Sequence, residues 1–409
     1  MFIGIPLLSG ISGEIGASGF VLSDIFENDG IAINDKIGEV SGQLTYRDFV
    51  KIYAQEEVVS VGFRVNNRTD ISFGFYTEID ALVYHPKDVF TLINEGNSAY
   101  LNKSFLFSQI LFEADLLGAL HFGVSSKITE KLTLGGRFKV YSSAVNIRSK
   151  NNTGSFATIK GKKNKYKHIL SDISINAKSS GLVTDEKLVE NFGDYLQNVF
   201  FGGNLGIGFD LGFTYRPNGR LEFSGSVLDI GFINHTKEVL NYSAEGSFSF
   251  EGVDFQFDPN INYLGDMQAT FAKELVIAEN KNSYISWRPI KMNAAFMIRF
   301  GNKVSKKIGG YFKKDSYTDA AGVQLYSVYR PISPHVAFTA FYQKSLTNKI
   351  HTKVTYTVDN FSYSNIGAGV SVQFGCVNMY SVIDNILGYR NLSAANNISL
   401  QVGINLIFN

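Results

Sequence analysis

A single cysteine in 409 residues, Cys376, excludes an internal disulfide framework and any multi-thiolate metal site. It is expected to pack as a small apolar side chain. Proline is scarce, with seven residues, and there is one tryptophan. Charged residues make up 18%, against about 25% in an average soluble domain. The 38 cations and 37 anions leave a net charge of +1, so no overall field recruits nucleic acid.

Also missing is any run that reads as a transmembrane helix. Residues 360–383 and 391–409 are uncharged and long enough to be tested. Both carry Ser, Gly, Asn or Gln at every second or third position, which a helix would expose to lipid all round and a strand collects on one side. The six histidines are scattered, and HExxH, GxSxG and phosphate-loop motifs are all absent. No metal, cofactor or catalytic centre is expected. His121 shares a strand face with Glu113 and Asp115, but Asp115 lies six residues away, roughly 20 Å along a strand, too far for proton transfer.

What is abundant is Phe (34), Tyr (21) and Gly (39), residues of pleated walls and tight corners. They fall into a sustained period of two. In 71–83, Ile71, Phe73, Phe75, Ile79 and Val83 alternate with Ser72, Gly74, Glu78 and Asp80. Similar stretches cover 110–124, 132–140, 207–215, 292–300 and 366–374. A soluble sandwich also alternates, but its wet face usually carries Lys, Glu and Thr freely. Here that face is Gly, Ser and sparse charge, over strands of about ten residues or more, the length that crosses a bilayer when tilted. The expected fold is therefore all-β: a transmembrane, antiparallel, up-and-down barrel forming a single domain over 1–409. Arg64, Asp70, Glu78, Glu113, Asp115, Arg137, Lys139, Asp210 and Arg299 are expected to form a polar network in the bore. Asn66-Asn67-Arg68 and Pro217-Asn218-Gly219 suit short hairpins, and the first would set Arg64 opposite Asp70.

The last strand has Leu400, Val402, Ile404, Leu406 and Phe408 on one face and Gln401, Gly403 and Asn405 on the other. Gln401, Gly403, Leu406 and Phe408 fit the pattern of a C-terminal assembly signal, an edge strand that pairs with a template before closure. The departure is Asn409 after the usual terminal aromatic. Helices are expected over 86–95, over 185–199 with Asp185 as cap, and over 260–278. They would pack in loops on a barrel end or enter the lumen as a plug. Two basic groups, Lys160 to His168 and Lys303 to Lys314, would be solvated loops or contacts for lipopolysaccharide phosphates. Residues 1–13 lack the basic start of a signal peptide and read as strand and turn, so the chain is expected to begin downstream of one.

Several segments resemble an uncharacterised Bacteroidota family of outer-membrane proteins with a domain of unknown function. They are Phe2-Ile3-Gly4-Ile5-Pro6 with Gly19-Phe20, the stretch from Gly203 to Gly212, the stretch from Val227 to Asn234, Tyr380 to Leu387, and Gly403-Ile404-Asn405-Leu406. The family's signal peptide and Asn-Pro-Ala element are absent. More distantly the chain is similar to FadL-like barrels of long-chain fatty acid uptake, which implies 14 strands and an N-terminal hatch, here partly missing. The resemblance implies an outer-membrane barrel, not an enzyme, passing a small hydrophobic cargo. The alternative is a non-transporting scaffold in an envelope complex. Implied partners are outer-membrane lipid and lipopolysaccharide, and the barrel-assembly machinery during biogenesis.

Overall fold

The computed structural model describes residues 1–161, 166–184, 187–188, 192–251, 274–308 and 312–408. Fourteen strands form one closed ring. They are β1 (Phe2–Gly4 continued by Ile11–Ala17), β2 (Phe49–Arg64), β3 (Thr69–Tyr84), β4 (Phe112–Lys127) and β5 (Leu132–Ser149), then β6 (Asn204–Tyr215) and β7 (Leu221–His235). After these come β8 (Tyr284–Trp287 continued by Lys291–Ile308), β9 (Phe312–Val328), β10 (His335–Ser345), β11 (Ile350–Val358), β12 (Asn365–Phe374), β13 (Val377–Asp384) and β14 (Asn397–Ile407). Each pairs antiparallel with its neighbours, and β1 bridges β14 and β2 to close the circle. Closure removes both sheet edges, the only form in which strands satisfy every backbone group in lipid.

Alternation decides the two faces. Glu78 is 1% exposed and Ile79 beside it 43%. Phe73, Val83, Phe122, Leu134, Phe209, Leu211, Phe213 and Phe223 join Ile79 in an outward apolar belt. A soluble protein would cover such a surface, whereas a bilayer solvates it. The chain is a transmembrane β-barrel. Among the described residues no helix is long and apolar enough to cross a membrane.

Phe75 breaks the pattern, lying on the outward parity yet buried. Residues 192–202, an α-helix (Phe192–Gln197) running into a π-turn (Asn198–Gly202), fold down on the outside of the wall. Val199 packs there against Phe75 and Ala144, and Phe200 stacks on Phe75 at 4.9 Å. Gly118 makes this possible: a Cβ there would lie 2.3 Å from the Val199 carbonyl oxygen. The helix expected over 185–199 is thus real only in its second half. Val183–Thr184 pairs with Lys187–Leu188 instead, and Asp185 falls outside the described residues.

Short turns join strands at the end that carries both termini, and long connections gather at the other. The long connections hold helices Ser23–Phe26, Ile33–Gln43 and Lys87–Asn94; the last matches the expectation over 86–95. Lys36 of the second helix is buried, donates to the Glu27 carbonyl and pairs with Asp29 at 2.6 Å, which holds the Asp29 carboxyl below its ordinary range. Helix Ile33–Gln43 escaped sequence reading because Ile33, Ile37 and Val40 are its only large apolar residues. The helix expected over 260–278 is corrected where it can be seen: Leu275–Asn280 is a strand, drawn into register by Asn241 to Gly246 of strand Val239–Glu251. Residues 260–273 lie outside the described ones.

The first basic group is also no loop where described. Lys160 ends strand Thr153–Lys160, and Lys167 and His168 lie on strand Tyr166–Ser180, part of a sheet extending from β5 beyond the long-loop end. The second group sits on β8 and β9 where they extend past the short-turn end, since Leu221 pairs Ile298 and the two strands run on to Ile308 and Phe312. The groups therefore lie at opposite ends of the barrel and cannot both face one leaflet. Cys376 is exposed, in the turn between β12 and β13, not packed as expected, because tight turns leave no neighbour to pack on.

Candidate functional site: a pinched bore

Inward side chains of β3 to β9 meet in the middle of the barrel. Arg288, in the Arg288-Pro289-Ile290 break of β8, reaches Glu78 on β3 through Nη2 and lies 3.7 Å from Asp115 on β4. Lys291 Nζ bridges Glu78 at 3.2 Å and Asp229 at 3.0 Å. Lys139 Nζ contacts Asp229 at 2.6 Å and Asp210 at 2.9 Å, and Tyr141 donates to Asp229 at 3.0 Å. Arg330 Nη2 donates to both Asp80 oxygens at 2.8 Å, and its Nη1 lies 3.5 Å from Glu113. Arg148 approaches Glu113 at 3.9 Å. Tyr53 donates to Gln55 and Glu78, and His121 meets Glu57 at 3.0 Å.

These contacts measure the bore. A circular barrel of 14 strands spaced about 4.8 Å apart and tilted about 40° is roughly 28 Å across. Asp80 and Arg330 stand six strands apart, and Tyr84 and His335 seven, halfway round the ring. Yet Tyr84 Oη is 3.3 Å from His335 Nε2. Built from bonds of about 1.5 Å, such side chains in contact span about half the circular width. The barrel is flattened at this level. An apolar layer of Phe49, Leu82, Tyr84 and Leu111, with Ile332 and Phe361 against it, adds to the closure toward the long-loop end.

Two spaces remain. A vestibule of about 1200 Å³ opens at the short-turn end beside Phe2, Arg64 and Asp70 and runs inward to Arg137, Asp210, Asn293 and Gln324. A chamber of about 360 Å³ lies against β9 to β14 and shares Gln324 with the vestibule.

The expected network residues divide between these levels. Glu78, Glu113, Asp115, Lys139 and Asp210 belong to the pinch. Arg137, half exposed, faces the vestibule 3.9 Å from Asp210. Arg64 and Asp70 pair at 2.9 Å in the open mouth, and Arg299 pairs with Glu222 at the same end. Both members of the Arg64–Asp70 pair are at least half exposed, so we expect a double charge swap to restore a loss in either single swap of no more than about 1 kcal/mol. Denaturant titration of the four proteins checks it, and a double swap no better than the singles would reject the pairing.

Sequence reasoning placed Asp80 on the wet face without counting it in the network, and missed Asp229, Arg288, Lys291 and Arg330. Asp229 had a readable signal. By parity it falls on the lipid face with Phe223 and Val227, where a carboxylate is costly, so a bulge was implied. The structure has one: pairing with β6 slips between Phe209 and Leu211, and Asp229 adopts φ +61°. The slip turns the carboxylate inward. Arg288, Lys291 and Arg330 flank Pro289 and Pro331, outside any alternating run.

At the seam, β14 pairs with β1, Met1 and Phe408 exchange backbone hydrogen bonds at 2.8 Å, and Phe408 faces outward. Gly403 faces inward, where a Cβ would lie 2.5 Å from both the Ser9 carbonyl oxygen and the Tyr380 ring. Gln401 lines the chamber, and Leu406 pairs with Ile3 and Val377.

A closed 14-strand barrel with an apolar belt, an open vestibule and a charged pinch defines a class, the transmembrane β-barrel. Within it the chain belongs to a family of unknown function, DUF5723, whose model matches residues 1–384. No curated protein matches it. Among solved structures it is similar to the toluene transporter TbuX of Ralstonia pickettii, at 10% identity and TM-score 0.40 over 98% of this chain and 90% of that one. It is also similar to a FadL homologue of Pseudomonas aeruginosa, at 9% and 0.43 over 98% and 89%. The translocator domain of autotransporter NalP from Neisseria meningitidis matches at 8% and 0.33 over 100% and 88%.

Proposed function

We propose that this is an outer-membrane transport barrel for a small molecule, with the charged pinch as its gate. The observation that carries the reading is the shape of the bore: an open vestibule that ends on side chains. A barrel serving only as scaffold gains nothing from a vestibule, and an apolar filling would stabilise it as well as buried ion pairs do. Ion pairs spanning opposite walls can separate and re-form between water-filled spaces, which interlocked apolar packing does not allow. A hydrophobic cargo, the class implied by the FadL-like resemblance, would meet apolar surface at Phe2, Leu228 and Ile407, interleaved with the Ser, Thr, Asn and Gln side chains of the vestibule.

Short turns and both termini would face the periplasm, and the long connections the cell exterior with its lipopolysaccharide. Gln401, Gly403, Leu406 and Phe408 would be read by the assembly machinery. Cys376 reports the orientation: in intact cells a membrane-impermeant maleimide should leave it unlabelled, and outer-membrane permeabilisation should expose it. Labelling of intact cells would invert the topology.

Planar bilayers test transport. Wild-type barrel should show rare, small openings, with co-purified small molecules detectable by mass spectrometry. Absence of both conductance and bound molecules would favour the scaffold.

A further inference from the structure

We infer that the chamber against β9 to β14 is a binding site for a neutral, polyhydroxylated molecule of mono- or disaccharide size. This goes beyond the transport reading and does not depend on it. At about 360 Å³ the space sits at the small end of ligand sites, which run from about 300 to 1000 Å³. Its wall includes hydroxyls and amides, among them Thr355, Asn365, Ser399 and Gln401. Hydroxyl and amide groups both donate and accept, as the hydroxyls of a polyol do.

The charges present are largely spent on the wall itself. Lys51 pairs with Glu14 at 2.7 Å. Asp359 accepts the backbone N–H groups of Phe361 and Ser362 and the Asn365 amide at 2.7 Å. Asp384 accepts from Ser399 at 3.1 Å. Lys353 lies 4.7 Å over the Phe341 ring, with no ion pair among the described residues. Two cations thus stand against three carboxylates, a balance that gives a strongly charged ligand no advantage. Hydrogen-bonding capacity remains: Asn365 Oδ1 and His335 Nδ1, on residues 2% and 8% exposed, have no hydrogen-bond partner among the described residues. Unpaired polar groups so buried are costly, and a ligand hydroxyl or water that reaches them relieves the cost. Tyr326 and Phe361 supply apolar surface for the C–H faces of a sugar ring.

Saturation-transfer NMR on the detergent-solubilised full chain tests the site with D-glucose, maltose and myo-inositol, and with cyclohexanol as the ring-sized probe carrying one hydroxyl. At least one polyol should bind saturably and more tightly than cyclohexanol. Asn365→Leu should weaken that binding at least tenfold while the barrel keeps its folded mobility on unheated gels; Thr355→Val serves if Asn365→Leu does not fold. The inference is overturned if no polyol binds saturably, if cyclohexanol binds as well, or if a folded variant binds as wild type does. Conductance reads the gate and not this chamber, so the two proposals fail separately.

Discussion

Arg288→Ala is expected to lower the unfolding free energy of the barrel by about 3–5 kcal/mol, the range for breaking a buried ion pair from one side. Arg288 is 4% exposed, and its guanidinium is the direct cation for Glu78 and lies 3.7 Å from Asp115. Removing it leaves Lys291 as the one cation paired with Glu78 among the described residues, and Lys291 is shared with Asp229. Much of the loss is the cost of stranded carboxylates rather than the worth of the pair. Glu78→Gln in the same chain should therefore recover a substantial share. Urea unfolding in detergent micelles, followed by the gel shift between folded and unfolded barrel, reads all three proteins. A single-variant loss under about 1 kcal/mol would mean that water already reaches the pair.

Gly403→Val should have the second largest effect, acting on closure of the ring. No rotamer removes the clash with the Ser9 carbonyl, because that atom is backbone, and Ser9 is held in place as its hydroxyl donates to the Glu57 carbonyl at 3.0 Å. Overpacking of this kind costs roughly 1–3 kcal/mol when neighbours can shift. Here the neighbours are the two strands that must meet for the barrel to close. We expect most of the variant to stay unfolded in an assembly assay, with the remainder melting at lower temperature. Gly403→Ala should fall between the two. Normal yield of folded Gly403→Val would show that the seam is looser than its geometry.

Much of the barrel was legible because its rule is local. Period two in 71–83, 207–215 and 366–374 needs no knowledge of distant contacts, and strands β3, β6 and β12 follow it. Turn chemistry fixed the register of Arg64 with Asp70, which the pairing of β2 and β3 reproduces. The pinch was half legible. Glu78, Glu113, Asp115, Lys139 and Asp210 lie inside regular strands, so parity placed them inward. Their cross-bore partners sit at breaks, Arg288 before Pro289 and Arg330 before Pro331, where proline interrupts the ladder and parity stops predicting. Which wall touches which is a property of the flattened ring, set by strand count and loop packing together. The helical period ending at Val199 was read, but its docking on the outer wall was not, because its partners Phe75 and Ala144 are distant in sequence.

The most direct test is single-channel recording of three barrels, wild type, Arg288→Ala with Glu78→Gln, and the apolar replacement Arg288→Met with Glu78→Leu. A gate predicts small, rare openings for wild type, frequent larger ones for the weakened pair, and a stable, silent barrel for the apolar one. Equal conductance from all three would contradict the gate and leave the pinch as structure alone.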